Sequence, residues 1–532
     1  MAAQIASFVA ALLALDVAVT FENVWPTPAI KWTGEGSVEL AIGIIVADLL
    51  IRRAPERARR VSAWLAAAWL ILAVGRYAEV TAPALYGRDV NLYWDLRFIP
   101  DVVKMMTTVT RAGLVAAVAA AIVALFAVLF VIFHAAWARL ARALTASAER
   151  RALQAVVVVA LAGFIGQTIS EHAPELPKFA SPVTAAYVRQ ARFAFTALTA
   201  SAYVPPSPPM NVTLSAINGA DVFVIFVEAY GAVTYTKPEI AAALAAPRAN
   251  FAATVRDTHR EVVSAFVESP TFGGSSWLAH ISLLSGIEVK DPDRNARLMT
   301  ERRDTLARAF GRNGFRTVAL MPGLRLGWPE GAFYGFDDIY GAERLAYHGP
   351  EFGWFAIPDE FALQRLDALE VSNRSRSPLF VFFPTISTHF PFNPIPPYQP
   401  DWSRMTDPHP YDGPSIVKAY GRDMDWVNFT PVYADAIAYD LTTIAGYLRL
   451  RADRDFVMVV LGDHQPAAAV SGAHASWNVP VHIIASRTAV LDRLRADGFV
   501  DGLAPQRSLG KMNALTPMLL EAFSGPPLRG SP

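Results

Sequence analysis

The chain has 532 residues, more than one ordinary domain holds, and 53% of them are hydrophobic. Its positive mean hydropathy belongs to membrane proteins rather than soluble ones. Lys and Arg balance Asp and Glu at 47 each, which excludes a global field that recruits nucleic acid, and the absence of cysteine excludes disulfides, a thiol nucleophile and thiolate metal ligands.

In chain order, apolar runs at 4–21, 37–51, 61–77, 113–138 and 152–168 predict a transmembrane domain of about five helices over residues 1–172. The second run is short and carries Glu39 and Asp48, and Asp16 interrupts the first. No small-residue cleavage site follows that first run, so it reads as a span and not as a signal peptide. Arg52, Arg53, Arg57, Arg59 and Arg60 sit between runs two and three, and Arg139, Arg142, Arg150 and Arg151 between runs four and five. These alternate loops share one face, and positive loops stay in the cytoplasm. Everything after about residue 170 is therefore expected outside it. The outer loop at 76–105 is rich in Tyr, Trp and Arg, as interfacial segments are.

Residues 173–212 read as a juxtamembrane helix, spaced to lie along a membrane, and a Pro-rich linker starting at Val204. From 213 to 532, strands predicted at Asp221–Val227, Arg316–Met321, Pro378–Pro384, Phe456–Leu461 and Val479–Ala485 alternate with helical stretches. That alternation implies an α/β domain with a mostly parallel central sheet, whose ligand site lies outside the carboxyl ends of the strands.

The chemistry-bearing residues fall just after those strands. Glu228 ends "DVFVIFVE", Asp463 and His464 follow "VVLG", and His389 follows the 378–384 strand after a short loop. Two carboxylates and an imidazole suit a divalent ion, with the imidazole favouring Mn²⁺ or Zn²⁺ over Mg²⁺. Ser275, behind Gly273 and Gly274, can serve as fourth ligand and nucleophile, because coordination lowers the pKa of a hydroxyl. His389 and His474 can bind phosphoryl oxygens or protonate a leaving group. Each residue also has a plain reading: Glu228 as a first-turn helix charge, Ser275 as a helix N-cap, the histidines as surface or core residues.

Together "DVFVIFVEAYG", "FGGSSWLAHISLLSG", "THFPF" and "VVLGDHQP" resemble the alkaline phosphatase superfamily. Within it the chain is similar to the sulfatase-like membrane-anchored branch of lipoteichoic acid synthases, phosphoglycerol transferases and phosphoethanolamine transferases. The resemblance implies metal ligands Glu228, Ser275, Asp463 and His464, and catalytic Ser275, His389 and His474, the two histidines on the substrate side. His474 stands where phosphoethanolamine transferases carry another functional His. The stretch Met321–Glu330 departs from the glycerol-phosphate clamp of lipoteichoic acid synthases, keeping Trp328 but bringing Glu330 where an Arg is usual. That implies an acceptor other than a glycerol phosphate polymer, held by Trp328 and Glu330. Ser275 is followed by Ser276, Trp277 and Leu278, so formylglycine conversion is not expected.

The expectation is an envelope phosphotransferase of the bacterial inner membrane with its catalytic domain outside the cytoplasm. It moves a phospholipid headgroup phosphate through Ser275 to a glycan or glycolipid. A phosphate or sulfate ester hydrolase of the same superfamily and a non-catalytic scaffold are the rival expectations.

Overall fold

A computed structural model describes residues 2–525 apart from 26, 101–102, 104–111, 170–177, 200–202, 326–327, 329, 354, 374, 424 and 426. The end of the 76–105 loop, part of the connector and part of the 321–330 stretch thus lie outside the described residues. The chain divides into two compact units, 1–200 and 201–532.

The longer helices of the first unit are α1 (Ala2–Thr20), α2 (Val38–Arg53), α3 (Ala58–Tyr86), α4 (Ala112–Thr145), α5 (Ser147–Ile169) and α6 (Pro182–Thr199). Among the described residues, α1, α4, α5 and a stretch containing α3 are long and apolar enough to cross a membrane. The 16 residues of α2 rise only about 24 Å, short of a bilayer core of roughly 30 Å. The acidic residues inside these apolar runs have partners, as buried polar groups require. Asp16 Oδ1 accepts from the Ser37 amide at 2.7 Å, and Glu39 Oε1 accepts from the amide and hydroxyl of Thr184 at 3.0 and 3.1 Å. The second of these bonds ties α6 to α2. Tyr187 of α6 also donates to the Ile71 carbonyl of α3, so α6 packs within this unit.

The second unit is built on one nine-stranded sheet. Its strands are β1 (Asp221–Val227), β2 (Glu261–Glu268), β3 (Arg316–Met321), β4 (Asp338–Gly341), β5 (Leu379–Pro384), β6 (Phe456–Gly462), β7 (Asn478–Ala485), β8 (Val500–Asp501) and β9 (Ser508–Lys511). Across the sheet they run β8-β2-β7-β6-β1-β5-β3-β4, with β9 beside β2. The block β6-β1-β5-β3-β4 is wholly parallel, while β7 runs antiparallel to both β6 and β2. Parallel pairing needs a long crossover. The loop from β6 to β7 holds only a four-residue helix, so the chain turns straight back.

The apolar runs in the central strands come from burial on both faces. Phe223, Ile225 and Val227 of β1 face one core, which Tyr433, Ile437 and Ile444 of α9 (Thr430–Leu450) also line. Val222, Val224 and Phe226 face the other, with Leu278, Ile281 and Leu284 of α7 (Ser276–Ser285). A third helix, α8 (Asp359–Leu366), packs against α9 on the first face. The parallel block thereby presents its carboxyl ends along one edge, where Glu228 and Asp463 emerge from adjacent strands in register, Gly462 opposite Val227.

Candidate metal centre

Glu228, Asp463 and His464 are each buried, and each offers a ligand atom within 4.8 Å of the others. Glu228 is the first residue beyond β1, and its amide donates to Thr385 Oγ1 at 3.1 Å. Its carbonyl accepts from the Thr388 hydroxyl at 2.7 Å, and the next carbonyl, of Ala229, accepts from Tyr433 at 2.8 Å. Asp463 Oδ1 accepts from the amides of Ala229 and His464 at 2.8 and 2.7 Å. Its Oδ2 is buried and has no hydrogen-bond partner. The turn between β6 and Asp463 requires glycine, since a Cβ on Gly462 would collide with the Tyr230 carbonyl oxygen.

His464 Nδ1 lies 2.8 Å from the Gln465 carbonyl. A carbonyl only accepts, so Nδ1 carries the hydrogen and Nε2 faces the carboxylates, 3.3 Å from Glu228 Oε1 and 3.8 Å from Asp463 Oδ1. Burial alone would depress this imidazole, but Asp463 and Glu228 overcome it and push it up to about 9. Burial and the charge of Glu228 hold Asp463 well above the usual carboxylate range, whereas Glu228, opposed by burial, is drawn below that range by His464. Two buried carboxylates balanced by a proton, with one oxygen unpartnered, fit a site made for a divalent cation.

The serine at this centre is Ser276. Its hydroxyl donates to Glu228 Oε2 at 2.8 Å and lies 3.1 Å from His464 Nε2. Ser275, expected there from the sequence, is instead the N-cap of α7, and its side chain makes no capping bond. The one-residue offset in position has a backbone cause. Gly273, Gly274 and Ser275 all take positive φ, at 67°, 144° and 62°, and this curl makes Ser276 the first helical residue.

His389 is half-buried, its ring edge-on to Phe355 at 5.0 Å and its Nδ1 2.8 Å from the Phe390 carbonyl. The residue before it, Thr388, donates its hydroxyl to the Glu228 carbonyl, which sets His389 on the loop beside the site. His474 sits in an exposed turn at φ 56° and makes no hydrogen bond among the described residues. Trp328 is half-buried, its ring 5.2 Å from that of Tyr334 and tilted 33° to it, and it packs over Gly331 against the core that α7 lines, while Glu330 is exposed at the start of Gly331–Tyr334. The structure therefore gathers Glu228, Asp463 and His464 with Ser276, sets His389 one residue beyond Thr388, which bonds the Glu228 carbonyl, and gives neither His474, Trp328 nor Glu330 a contact with that group among the described residues.

One further residue escaped sequence reasoning. His280, one helical turn after Ser276, is buried between Phe226 and Phe382 at 4.6 and 5.4 Å, and its Nε2 has no partner. Burial depresses it to about 3 against the pull of Glu228, so it is neutral. The i, i+4 spacing from the serine was the available signal.

A family model described as Sulfatase matches residues 213–500, more than half of the chain. The chain belongs to the sulfatase family. It is an enzyme of the superfamily that its motifs resemble. Solved structures with a similar fold include the full-length lipooligosaccharide phosphoethanolamine transferase A (EptA) of Neisseria meningitidis, at 11% identity and TM-score 0.44 over 97% of this chain and 95% of that one. Two others are the phosphoglycerol transferase GacH of Streptococcus pyogenes, at 12% and 0.38 over 60% and 85%, and the lipoteichoic acid synthase LtaP of Listeria monocytogenes, at 15% and 0.35 over 53% and 68%. No curated protein sequence matches the chain.

Proposed function

We propose that this protein is a membrane-tethered, metal-dependent phosphotransferase that moves the headgroup phosphate of a phospholipid to a glycan or glycolipid through Ser276. The observation that carries the reading is the Ser276 hydroxyl within hydrogen-bond reach of both Glu228 and His464, beside the unpartnered Asp463 oxygen. Glu228, Asp463 and His464 would hold the ion, Mn²⁺ or Zn²⁺ by their donor types, with Ser276 as the fourth ligand. When bound, the ion lowers the pKa of the Ser276 hydroxyl and offsets charge growing on the phosphoryl group.

In the first step Ser276 Oγ gives its proton to Glu228, the carboxylate it already donates to, and bonds to phosphorus as the bond from phosphorus to the lipid oxygen breaks. That oxygen takes a proton from His389, which follows Thr388, the donor to the Glu228 carbonyl. In the second, an acceptor hydroxyl gives its proton back to His389 and bonds to phosphorus, and the Ser276 Oγ–P bond breaks as Oγ takes its proton back from Glu228. The membrane spans keep such a site near a lipid donor, and the arginine-rich loops orient it outside the cytoplasm. Trp328 and Glu330 are assigned to the acceptor, and His474 to the leaving group's surroundings, by their place in the sequence alone.

The test is mass spectrometry of enzyme trapped with a labelled phospholipid and no acceptor. A headgroup phosphate on the peptide containing Ser276 is expected. Unmodified enzyme releasing free headgroup phosphate at the same rate with and without glycan would replace the transferase by a hydrolase.

A further inference from the structure

Beneath the metal centre lies a buried acidic pair that the proposed chemistry does not use. Asp359, the first residue of α8, and Asp440, in the middle of α9, are each 1% exposed and hold adjoining residues of one segment, Asp440 the Thr385 hydroxyl and Asp359 the Ile386 and Ser387 amides, close enough that each acts on the other's titration. No Arg, Lys or His pairs with either among the described residues. Two neighbouring buried carboxyls without a cation share one proton.

The hydrogen bonds decide which keeps it. Asp359 accepts from the Ile386 amide at 3.0 Å and the Ser387 amide at 2.7 Å, a role suited to the ionised form. Asp440 Oδ2 accepts from the Thr385 hydroxyl at 2.8 Å, and its Oδ1 is buried with no hydrogen-bond partner. A hydrogen on Oδ1, given to Asp359, would account for that oxygen. Burial raises both groups, Asp359 to about 6, and the charge of Asp359 raises Asp440 further.

The pair grips the segment 385–389 from below, and that segment grips the site. Thr385 receives the Glu228 amide, Thr388 donates to the Glu228 carbonyl, and His389 lies one residue on. We propose that Asp440 and Asp359 form a proton-sharing brace that positions Glu228 and the His389 loop without touching substrate. The inference rests on the reading of Glu228, Asp463 and His464 as the ion's ligands.

The experiment uses the full-length protein and two isosteric variants, Asp440→Asn and Asp359→Asn. The amide of Asp440→Asn can still donate to Asp359 and accept from Thr385, so this variant should bind Mn²⁺ and turn over within about twofold of wild type. Asp359→Asn turns an NH₂ toward backbone amides that need an acceptor. It should lose about tenfold or more in kcat, as supports of metal ligands commonly do. Hydrogen exchange at Ile386 and Ser387 should accelerate in Asp359→Asn alone, with KM unchanged. Equal behaviour of the two variants in rate and exchange, whether both intact or both damaged, overturns the brace. A wild type that binds neither Mn²⁺ nor Zn²⁺ overturns the reading of the site instead, and the exchange data still judge the pair.

Discussion

Ser276 and Ser275 are neighbours with opposite surroundings, one bonded into the acidic cluster and the other spent on a left-handed turn. Ser276→Ala is expected to lower kcat by roughly 10³ or more, as loss of a covalent step does, with Ser275→Ala near wild type. Kinetics of the two variants, with their folded state checked by circular dichroism, decide it, and the reverse ranking would restore the sequence register. His464 gives a pH prediction. An imidazole must be neutral to bind a metal, and in the ion-free protein this one is protonated up to about pH 9. Affinity for Zn²⁺ should therefore rise about tenfold per pH unit from neutrality to pH 9 and level off above it. Calorimetry that finds no slope would remove the proton from His464. Glu360 is a third case, on stability. Its carboxyl is fully buried, accepts only the Gln399 amide among the described residues, and is pushed up to about 8 by burial. An unfolded Glu titrates near 4.3, so between those values unfolding releases a proton and stability falls as pH rises. Glu360→Gln should abolish that slope and gain about 2–4 kcal/mol at pH 8, read by thermal denaturation at pH 5 and pH 8.

At the scale of elements, strands buried on both faces were the most legible, and β1 and β3 have the bounds that their apolar runs predict. The strand β2 was not seen, because Glu261, Ser264 and Glu268 break its pattern. Ser264 is tolerated there because it bonds His482 Nδ1 of β7 at 2.6 Å, a cross-strand partner 218 residues away. Glu228, Asp463 and His464 were legible for the complementary reason: a charged residue directly after a buried strand has few places to be but the sheet's edge. Ser276 was not, since three successive positive-φ residues shift the start of α7. Nor was Asp440, an acid inside a helix, which reads as a solvated face until Thr385 and Asp359 are found against it. The junction after β6 is itself testable. Gly462→Ala would force the β1 exit away from Asp463, and loss of metal binding in a folded protein is expected, measured by metal content after purification.

For the whole molecule, the arginine-rich loops at 52–60 and 139–151 predict topology. A reporter fused after Pro532 should be active only when exported, and one inserted within 52–60 only in the cytoplasm; the opposite pattern would put the metal centre on the cytoplasmic face. The parallel block also has a consequence in time. During synthesis β1 emerges long before either neighbour: β5 begins about 150 residues after Val227, and β6 about 230. At roughly 5–20 residues per second, this strongly apolar strand waits on the order of 8–30 s for its first partner. Over that interval "VFVIFV" is a bare, uncharged template for pairing with other chains. Slowed translation between residues 228 and 379 should therefore lower the yield of this protein by aggregation, and leave the molecules that do fold with unchanged activity.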